Sequence, residues 1–308
     1  MSDIGIVIVT YNSSGHIGPC LDAAIPTGAE VVVVDNASSD ATLSEVAARG
    51  VRVIANSVNR GFAAAVNQGI SALDSPYVLL LNPDAVIIKG VEALRAACDL
   101  PGSAAAGGAL LDSEGRPQTG FMVRRFPTVA SFALEALLLN RIWPGNPVNR
   151  RYRCLDLDYA VQCEVEQPAG AFLMIRRDVW LRLGGLDESF VPLWFEDVDY
   201  CLRMAQSGFR VWYVPQATAR HCGGHSIPKI AVEMRRFYWY RNLIRFAFKH
   251  FPPVRARVVC LAVMAGSAVR MVVEPLLERS LKPVAVYGRV MRGACRCLWL
   301  RRSRILQT

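Results

Sequence analysis

The residues of this 308-residue chain with a type and spacing suited to chemistry fall in short polar clusters, most of them just beyond apolar runs. Asp84 stands past one such run, in Leu81-Asn82-Pro83-Asp84-Ala85. Pro83 stiffens the turn, and a carboxylate projecting there suits a hard cation such as Mg2+, which takes one or two carboxylates along with phosphate oxygens and water. The same aspartate would serve equally as a turn residue. Asp35 closes a run of four valines, where an acid accepts hydrogen bonds from a ribose or a pyrimidine N–H; Asp40, a few residues on, is the better helix cap. Asn59-Arg60-Gly61-Phe62 opens a helix whose first N–H groups suit a phosphate.

Two further clusters lie far along the chain. Trp194-Phe195-Glu196-Asp197-Val198-Asp199 sets three acids beside two aromatic rings. Acids at a helix start are favoured by its dipole, but a carboxyl crowded by another acid and by apolar rings also has the raised pKa that a general base needs. His221-Cys222-Gly223-Gly224-His225-Ser226 puts an imidazole at a glycine-rich turn, where it would complete a metal site with Asp84 or bind phosphate. His221 is preferred to His225 because it lies nearer the end of a strand.

The elements that position these groups alternate. Ile4–Thr10, Glu30–Asp35, Val51–Ala55 and Tyr77–Leu81 read as strands; Ile17–Ile25, Ala41–Arg49 and Phe62–Leu73 read as helices. Strands apolar on both faces, separated by helices, form a parallel sheet with helical covers. Ligands of such sheets bind beyond the carboxyl ends of the strands, where Thr10-Tyr11-Asn12, Asp35-Asn36, Asn56–Gly61 and Asn82-Pro83-Asp84 lie. Residues 112–160 read as a long loop region with one helix at Val129–Leu139. Val165–Arg176 reads as a strand, Arg177–Leu183 and Glu196–Ser207 as helices, and Phe209–Val214 as a last strand ended by Pro215. Ile230–His250 and Val254–Val273 follow as helices, the second too apolar all round for a simple surface helix, and an arginine-rich tail spans Arg289–Arg304.

At 52% hydrophobic and 20% charged residues the chain fills a core, which excludes disordered and collagen-like classes. Nine cysteines without paired spacing argue for a reducing compartment. The net charge of +9 is uneven: residues 1–226 carry 18 Lys/Arg against 23 Asp/Glu, and residues 227–308 carry 17 against 3. A basic tail on an acidic body suits an anionic membrane, a phosphorylated acceptor or nucleic acid. No signal peptide is expected from the short run Ile4–Val9. The uncharged stretch between Arg257 and Arg270 is twelve residues, short of the ~20 of a bilayer span. These features predict a catalytic body on the cytoplasmic side, peripheral at the inner face of the cell membrane. Two other classes fit parts of the pattern: a nucleic-acid-binding protein, from the arginines interleaved with aromatics, and a nucleotidyltransferase, which would want a second carboxylate where Asn82 stands.

In order and spacing, Ile8–Asn12, Val33–Asp40, Asn59–Ala63, Leu80–Asp84, Gly170–Leu173, Phe195–Arg203, the His221 turn and Tyr240-Arg241-Asn242 resemble the GT-A family 2 glycosyltransferases, especially their bacterial rhamnosyltransferase-like branch. The resemblance covers roughly residues 3–250. It implies an α/β fold of the GT-A (Rossmann-like) type, with a catalytic domain over 1–228 and a basic helical extension over 229–308. The catalytic domain would divide into a nucleotide-sugar half, about 1–110, and an acceptor half, about 111–228.

Carried over position by position, the resemblance puts Thr10, Tyr11, Asn12, Asp35, Asn59, Gly61, Asn82 and Asp84 around the nucleotide-sugar. Asp84 and His221 would hold Mg2+ or Mn2+; the motif here is Asn82-Pro83-Asp84, with its first acid replaced. Asp197, paired with Glu196, takes the place of the catalytic base. The implied donor is dTDP-L-rhamnose, with UDP- or GDP-linked sugars as alternatives. The acceptor would be a lipid-linked saccharide held through Trp194, Arg235, Arg236 and Arg241, with the C-terminal helices against the membrane. No nucleic-acid partner is expected.

Overall fold

The computed structural model describes residues 3–223 and 230–299. In chain order its main elements are β1 (Ile4–Thr10), α1 (Ser14–Ala24), β2 (Glu30–Asp35), α2 (Thr42–Ala47), β3 (Arg52–Ala55), α3 (Phe62–Ser71), β4 (Tyr77–Leu81), β5 (Ala85–Lys89), α4 (Val91–Cys98) and β6 (Ser103–Leu111). There follow β7 (Val123–Arg124), α5 (Val129–Ala136), α6 (Leu139–Ile142), α7 (Pro147–Tyr152), β8 (Cys163–Glu164), β9 (Gln167–Pro168), β10 (Phe172–Arg176), α8 (Arg177–Leu183), α9 (Glu196–Gln206) and β11 (Arg210–His221). The last three are α10 (Val232–His250), α11 (Pro253–Glu278) and α12 (Lys282–Trp299).

The chain forms two compact units. The first comprises Met1–Phe126, Arg153–Glu188 and Glu196–Ser226; the second comprises Pro127–Tyr152, Ser189–Phe195 and Ile227–Thr308. The charge change near residue 228 therefore marks the last of several crossings, because two earlier stretches also join the second unit.

The first unit is an α/β sheet in the order β3-β2-β1-β4-β10-β6-β11-β5, with β8 on β11. The run from β3 to β4 is parallel, as the βαβ alternation predicts; β10 enters antiparallel between β4 and β6, and β5 pairs antiparallel with β11. Both faces are covered. Ile4, Ile6 and Ile8 pack into one cluster, while the alternate residue Val7 joins Val32 and Val34 in the other. This period-2 division explains why the runs Ile4–Val9 in β1 and Val31–Val34 in β2 carry no polar side chain.

Two expectations about strands change, and residues 112–160 hold three helices, α5, α6 and α7, where one was expected. Pro215 does not end the last strand. The β11–β6 register shifts between Val214 and Thr218, so the proline, which has no N–H to donate, sits in a bulge and the strand runs on to His221. Val165–Arg176 is not one strand either: β9 pairs with β7 in a separate two-stranded sheet, and Ala169-Gly170-Ala171 separates it from β10. β6, not foreseen, is rich in alanine and glycine, and at its glycines nothing larger fits: a Cβ on Gly107 would lie 2.3 Å from Pro168 Cβ, and one on Gly108 2.4 Å from Phe172 Cε1.

The second unit is helical. One face of α11 packs closely: a Cβ on Gly266 would lie 1.9 Å from the Ala136 carbonyl oxygen of α5. Arg270, buried, donates to that same carbonyl. Glu274 accepts from Tyr287 at 3.0 Å and is ion-paired with Arg236 at 3.1 Å, binding α10, α11 and α12 together. At 26 residues α11 is long and apolar enough by length and composition to cross a membrane. The twelve-residue count between arginines understated it, because Arg270 and Glu274 turn inward and meet partners. Val254, Leu261, Val272, Leu276 and Leu277 of this helix stay exposed.

Candidate active site

The strand ends of the first unit are tied by side chains. Thr10 donates its hydroxyl to Asp35 Oδ1 at 2.7 Å, and the Ser38 N–H donates to Oδ2 at 2.8 Å. Asp35 is 1% exposed, so what this carboxylate demonstrably does is order the turn after β2. Asn12, at φ 52°, accepts from the Ser39 N–H at 2.7 Å, and its own N–H donates to Ser38 Oγ at 2.7 Å. Tyr11 beside it is half-buried. Asp40 is not the N-cap of α2, a position held by Ala41, but its carboxylate accepts from the Thr42 N–H at 3.0 Å and the Ser14 N–H at 3.2 Å, tying the starts of α2 and α1.

Gly61, at φ 87°, precedes α3 with no side-chain cap on that helix. Asn59 Oδ1 accepts from the Gly61 N–H at 2.9 Å. The sequence marks Asn36 only as a strand-end residue. It is 2% exposed, donates to the Gly61 carbonyl at 3.0 Å and accepts from Asn56 at 3.0 Å, joining the ends of β2 and β3 to α3. Strand-end position alone could have drawn attention to it.

Asp84 and His221, 137 positions apart in sequence, meet because His221 pairs with Ala85 across β11 and β5. His221 Nε2 lies 3.5 Å from Asp84 Oδ1 and 3.4 Å from Asn82 Nδ2. Both His221 and Asp84 are buried. Burial lowers the His221 pKa against the opposing pull of Asp84, so the ring is held neutral. A carboxylate and a neutral imidazole this close are a fitting pair for a divalent ion. Among the described residues no three His, Cys, Asp or Glu side chains form an ion-holding group, so an ion here would take its remaining ligands from phosphate and water. His225 lies outside the described residues.

The three acids of α9 separate by environment. Asp199 is fully buried and bridged to Arg203 at 2.8 Å, while Arg203 also donates to the carbonyls of Leu183 and Gly185 at 2.7 and 2.6 Å; that set is structural. Glu196 is buried, and its Oε2 has no hydrogen-bond partner among the described residues. Burial first, then Asp197, pushes its carboxyl well above the usual range. Asp197 is partly exposed. Its pKa is raised by desolvation and held back by N–H donors from Val198 and Gly170 and by the charge of Arg124.

One path of contact and one of charge connect Asp197 to the Asp84–His221 pair. Gly170 packs on Asp197, and the neighbouring Ala171 carbonyl accepts from the Asn82 N–H at 3.0 Å. Arg124, whose charge lowers the Asp197 pKa, lies over the Phe121 ring, and that ring stacks on His221 at 5.3 Å and 12°. The Phe121–Arg124 segment was not foreseen, since it carries no motif and acts through its fold.

In the second unit Trp194, at φ 78°, sits in a loop held by Asn242, whose amide donates to the carbonyls of Val191, Leu193 and Trp194. Arg235 is half-buried, and its Nε has no hydrogen-bond partner among the described residues. Arg241 donates to the Val191 carbonyl and lies 5.1 Å over Tyr238. Arg236 departs from expectation. Its guanidinium is committed to Glu274 and Glu278, and a cation already paired with two carboxylates is not available to a diphosphate.

A helix-flanked, mostly parallel sheet with polar groups gathered at its strand ends is the architecture of a GT-A glycosyltransferase. The chain belongs to glycosyl transferase family 2, whose model matches residues 5–178. It is 29% identical over 245 residues to the N-acetylglucosaminyl-diphospho-decaprenol L-rhamnosyltransferase of Mycobacterium tuberculosis H37Rv, covering 73% of this chain and 78% of that protein. It is 28% identical over 171 residues to the rhamnosyltransferase WbbL of Escherichia coli K12, covering 53% and 58%. Among solved structures, S. aureus TarS 1–349 in complex with UDP-GlcNAc aligns at a TM-score of 0.57 and 15% identity over 98% of this chain and 83% of that one. The mannosyltransferase PcManGT from Pyrobaculum calidifontis, in complex with GDP-Man and Mn2+, aligns at 0.54 and 18% over 99% and 83%. At these identities the structural likeness concerns the fold alone. The chain is a rhamnosyltransferase-like glycosyltransferase.

Proposed function

We propose that this enzyme transfers L-rhamnose from dTDP-L-rhamnose to a hydroxyl of a polyprenyl-diphosphate-linked saccharide, inverting the anomeric carbon. The observation that carries the chemistry is the linkage, within one unit, of Asp84, His221 and Asp197 through Asn82, Ala171 and Gly170, with Phe121 stacked on His221. The sugar and acceptor class rest on the named activity of the mycobacterial relative.

Asp84 and His221 Nε2 would hold a divalent ion, Mg2+ or Mn2+, which when bound stabilises charge on the departing nucleoside diphosphate. Asp197 accepts the proton of the acceptor hydroxyl. That oxygen forms its bond to the anomeric carbon on the face opposite the diphosphate, and the bond from that carbon to the phosphate oxygen breaks. The raised pKa of Asp197 suits this task, since a stronger base accepts the proton more readily. Thr10, Tyr11, Asn12, Asn59 and Gly61 border the nucleotide, and Asp35 serves it by holding their turn in shape. Trp194, Arg235 and Arg241 serve the acceptor, and the exposed face of α11 with its basic surroundings rests on the cytoplasmic surface of an anionic membrane.

A panel of nucleotide sugars, scored for thermal stabilisation and turnover with Mg2+, Mn2+ or a chelator, tests this directly. Metal-dependent stabilisation by dTDP-L-rhamnose and transfer to N-acetylglucosaminyl-diphospho-prenol are expected. Transfer only from UDP- or GDP-linked sugars would move the donor assignment; no transfer from any sugar would sink the proposal.

A further inference from the structure

The environment of His221 holds a second residue that no motif marks. β6 ends at Leu111, and the turn Asp112–Arg116 reverses the chain: the Asp112 carboxylate accepts from the Glu114 and Arg116 N–H groups at 2.9 Å, with Gly115 at φ 79°. The Gln118 N–H then bonds back to the Leu110 carbonyl at 2.9 Å. Because β6 and β11 are neighbours, with Leu111 opposite Arg220, this return sets Gln118 beside His221.

Both ends of the Gln118 amide engage the same residue. Its Nε2 donates to the His221 backbone carbonyl at 2.7 Å, and its Oε1 lies 3.0 Å from His221 Nδ1. A carbonyl oxygen only accepts, so the amide orientation is forced: nitrogen toward the backbone, oxygen toward the ring. An oxygen facing Nδ1 in turn requires Nδ1 to carry the proton. The neutral ring is then the Nδ1–H tautomer, with the lone pair on Nε2. Asp84 pulls the other way, since its Oδ1 would accept from an Nε2–H, but at 3.5 Å it is farther than Gln118. Asn82 Nδ2, 3.4 Å from Nε2, is placed to donate to the bare nitrogen. Phe121, stacked at 12° on the imidazole, restricts ring rotation.

We infer that Gln118 is a positioning residue that fixes His221 as the Nδ1–H tautomer, so that Nε2 faces Asp84 as a ready ligand for a divalent cation. The inference deepens the proposed metal role of His221, but its first measurement stands apart from that role. An imidazole ligand is commonly oriented by a hydrogen bond at its other nitrogen, and loss of such a partner weakens metal affinity by about 10–100-fold.

The test is long-range 1H–15N spectroscopy of the His221 ring in metal-free protein at a pH where the ring is neutral, followed by Mn2+ titration monitored by electron paramagnetic resonance. The wild-type spectrum is expected to show a protonated Nδ1 and a bare Nε2. Gln118→Met, which keeps side-chain length but offers no hydrogen bond, is expected to populate the Nε2–H form and bind Mn2+ about 10–100-fold more weakly. Gln118→Glu keeps an acceptor at Nδ1 and is expected to retain the wild-type tautomer. An Nε2–H ring in the wild type, or an unchanged tautomer in Gln118→Met, would overturn the inference. Failure of the wild type to bind Mn2+ would refute the ion site while leaving the spectrum to decide on Gln118.

Discussion

At the scale of single residues, three acids within four positions of one helix have three different fates, and solvation separates them. Asp199 is neutralised by Arg203; Glu196 is buried without a partner on one oxygen; Asp197 alone combines partial exposure with a raised pKa. Asp197→Asn is therefore expected to lower kcat by about 10²–10⁴-fold with donor affinity unchanged, as read by steady-state kinetics beside calorimetric binding. An unaltered kcat would remove Asp197 from its role. Because the base must be ionised, the acidic limb of the kcat/KM profile should lie above the pH of an ordinary aspartate. Glu196 makes a separate prediction about stability. A carboxyl whose pKa is raised by folding stabilises the fold below its unfolded value, and that stability is lost as pH rises through the folded value. Glu196→Gln should thus melt higher than wild type at about pH 8 and lose that advantage at about pH 4. Equal differences at both pH values would show that Glu196 is not ionising at a cost.

At the scale of elements, irregularities position the site more than regular structure does. The bulge at Pro215 lets β11 continue to His221, and the break between β9 and β10 frees the Gly170 N–H for Asp197. In the second unit Asn242, fully buried, spans three carbonyls of the Val191–Trp194 loop. Asn242→Ala leaves those acceptors unmatched and is expected to destabilise the protein by about 1–3 kcal/mol, measured by urea unfolding. A change within error of zero would mean that the loop is held by other contacts.

At the scale of the whole molecule, charge and apolar surface are concentrated in the same C-terminal segment. Residues 227–308 are strongly basic, and α11 exposes Leu261, Val272 and Leu276, the last at 78%. If this face meets lipid, Leu261→Glu with Leu276→Glu should abolish co-sedimentation with anionic vesicles and leave circular dichroism and donor hydrolysis as in wild type. Because the attraction is partly electrostatic, added salt should weaken wild-type binding. Undiminished sedimentation of the double variant would place the membrane contact elsewhere.

Local pattern was enough to reveal the parallel half of the sheet. The strands Ile4–Thr10, Glu30–Asp35 and Tyr77–Leu81 and the helix Arg177–Leu183 stand where periodicity put them, because uniform apolar runs and helical periods are properties of neighbouring residues. The family and the order of its motifs were legible for the same reason. Which side chains touch was not. The pairing of His221 with the Asp84 turn depends on a bulge and on two strands far apart in sequence. The double hold of Gln118 depends on a chain reversal beside a neighbouring strand, and the loss of Arg236 to Glu274 and Glu278 depends on how three helices pack. Those outcomes are contests between alternative partners for one polar group, and only the fold brings the competitors within hydrogen-bonding distance.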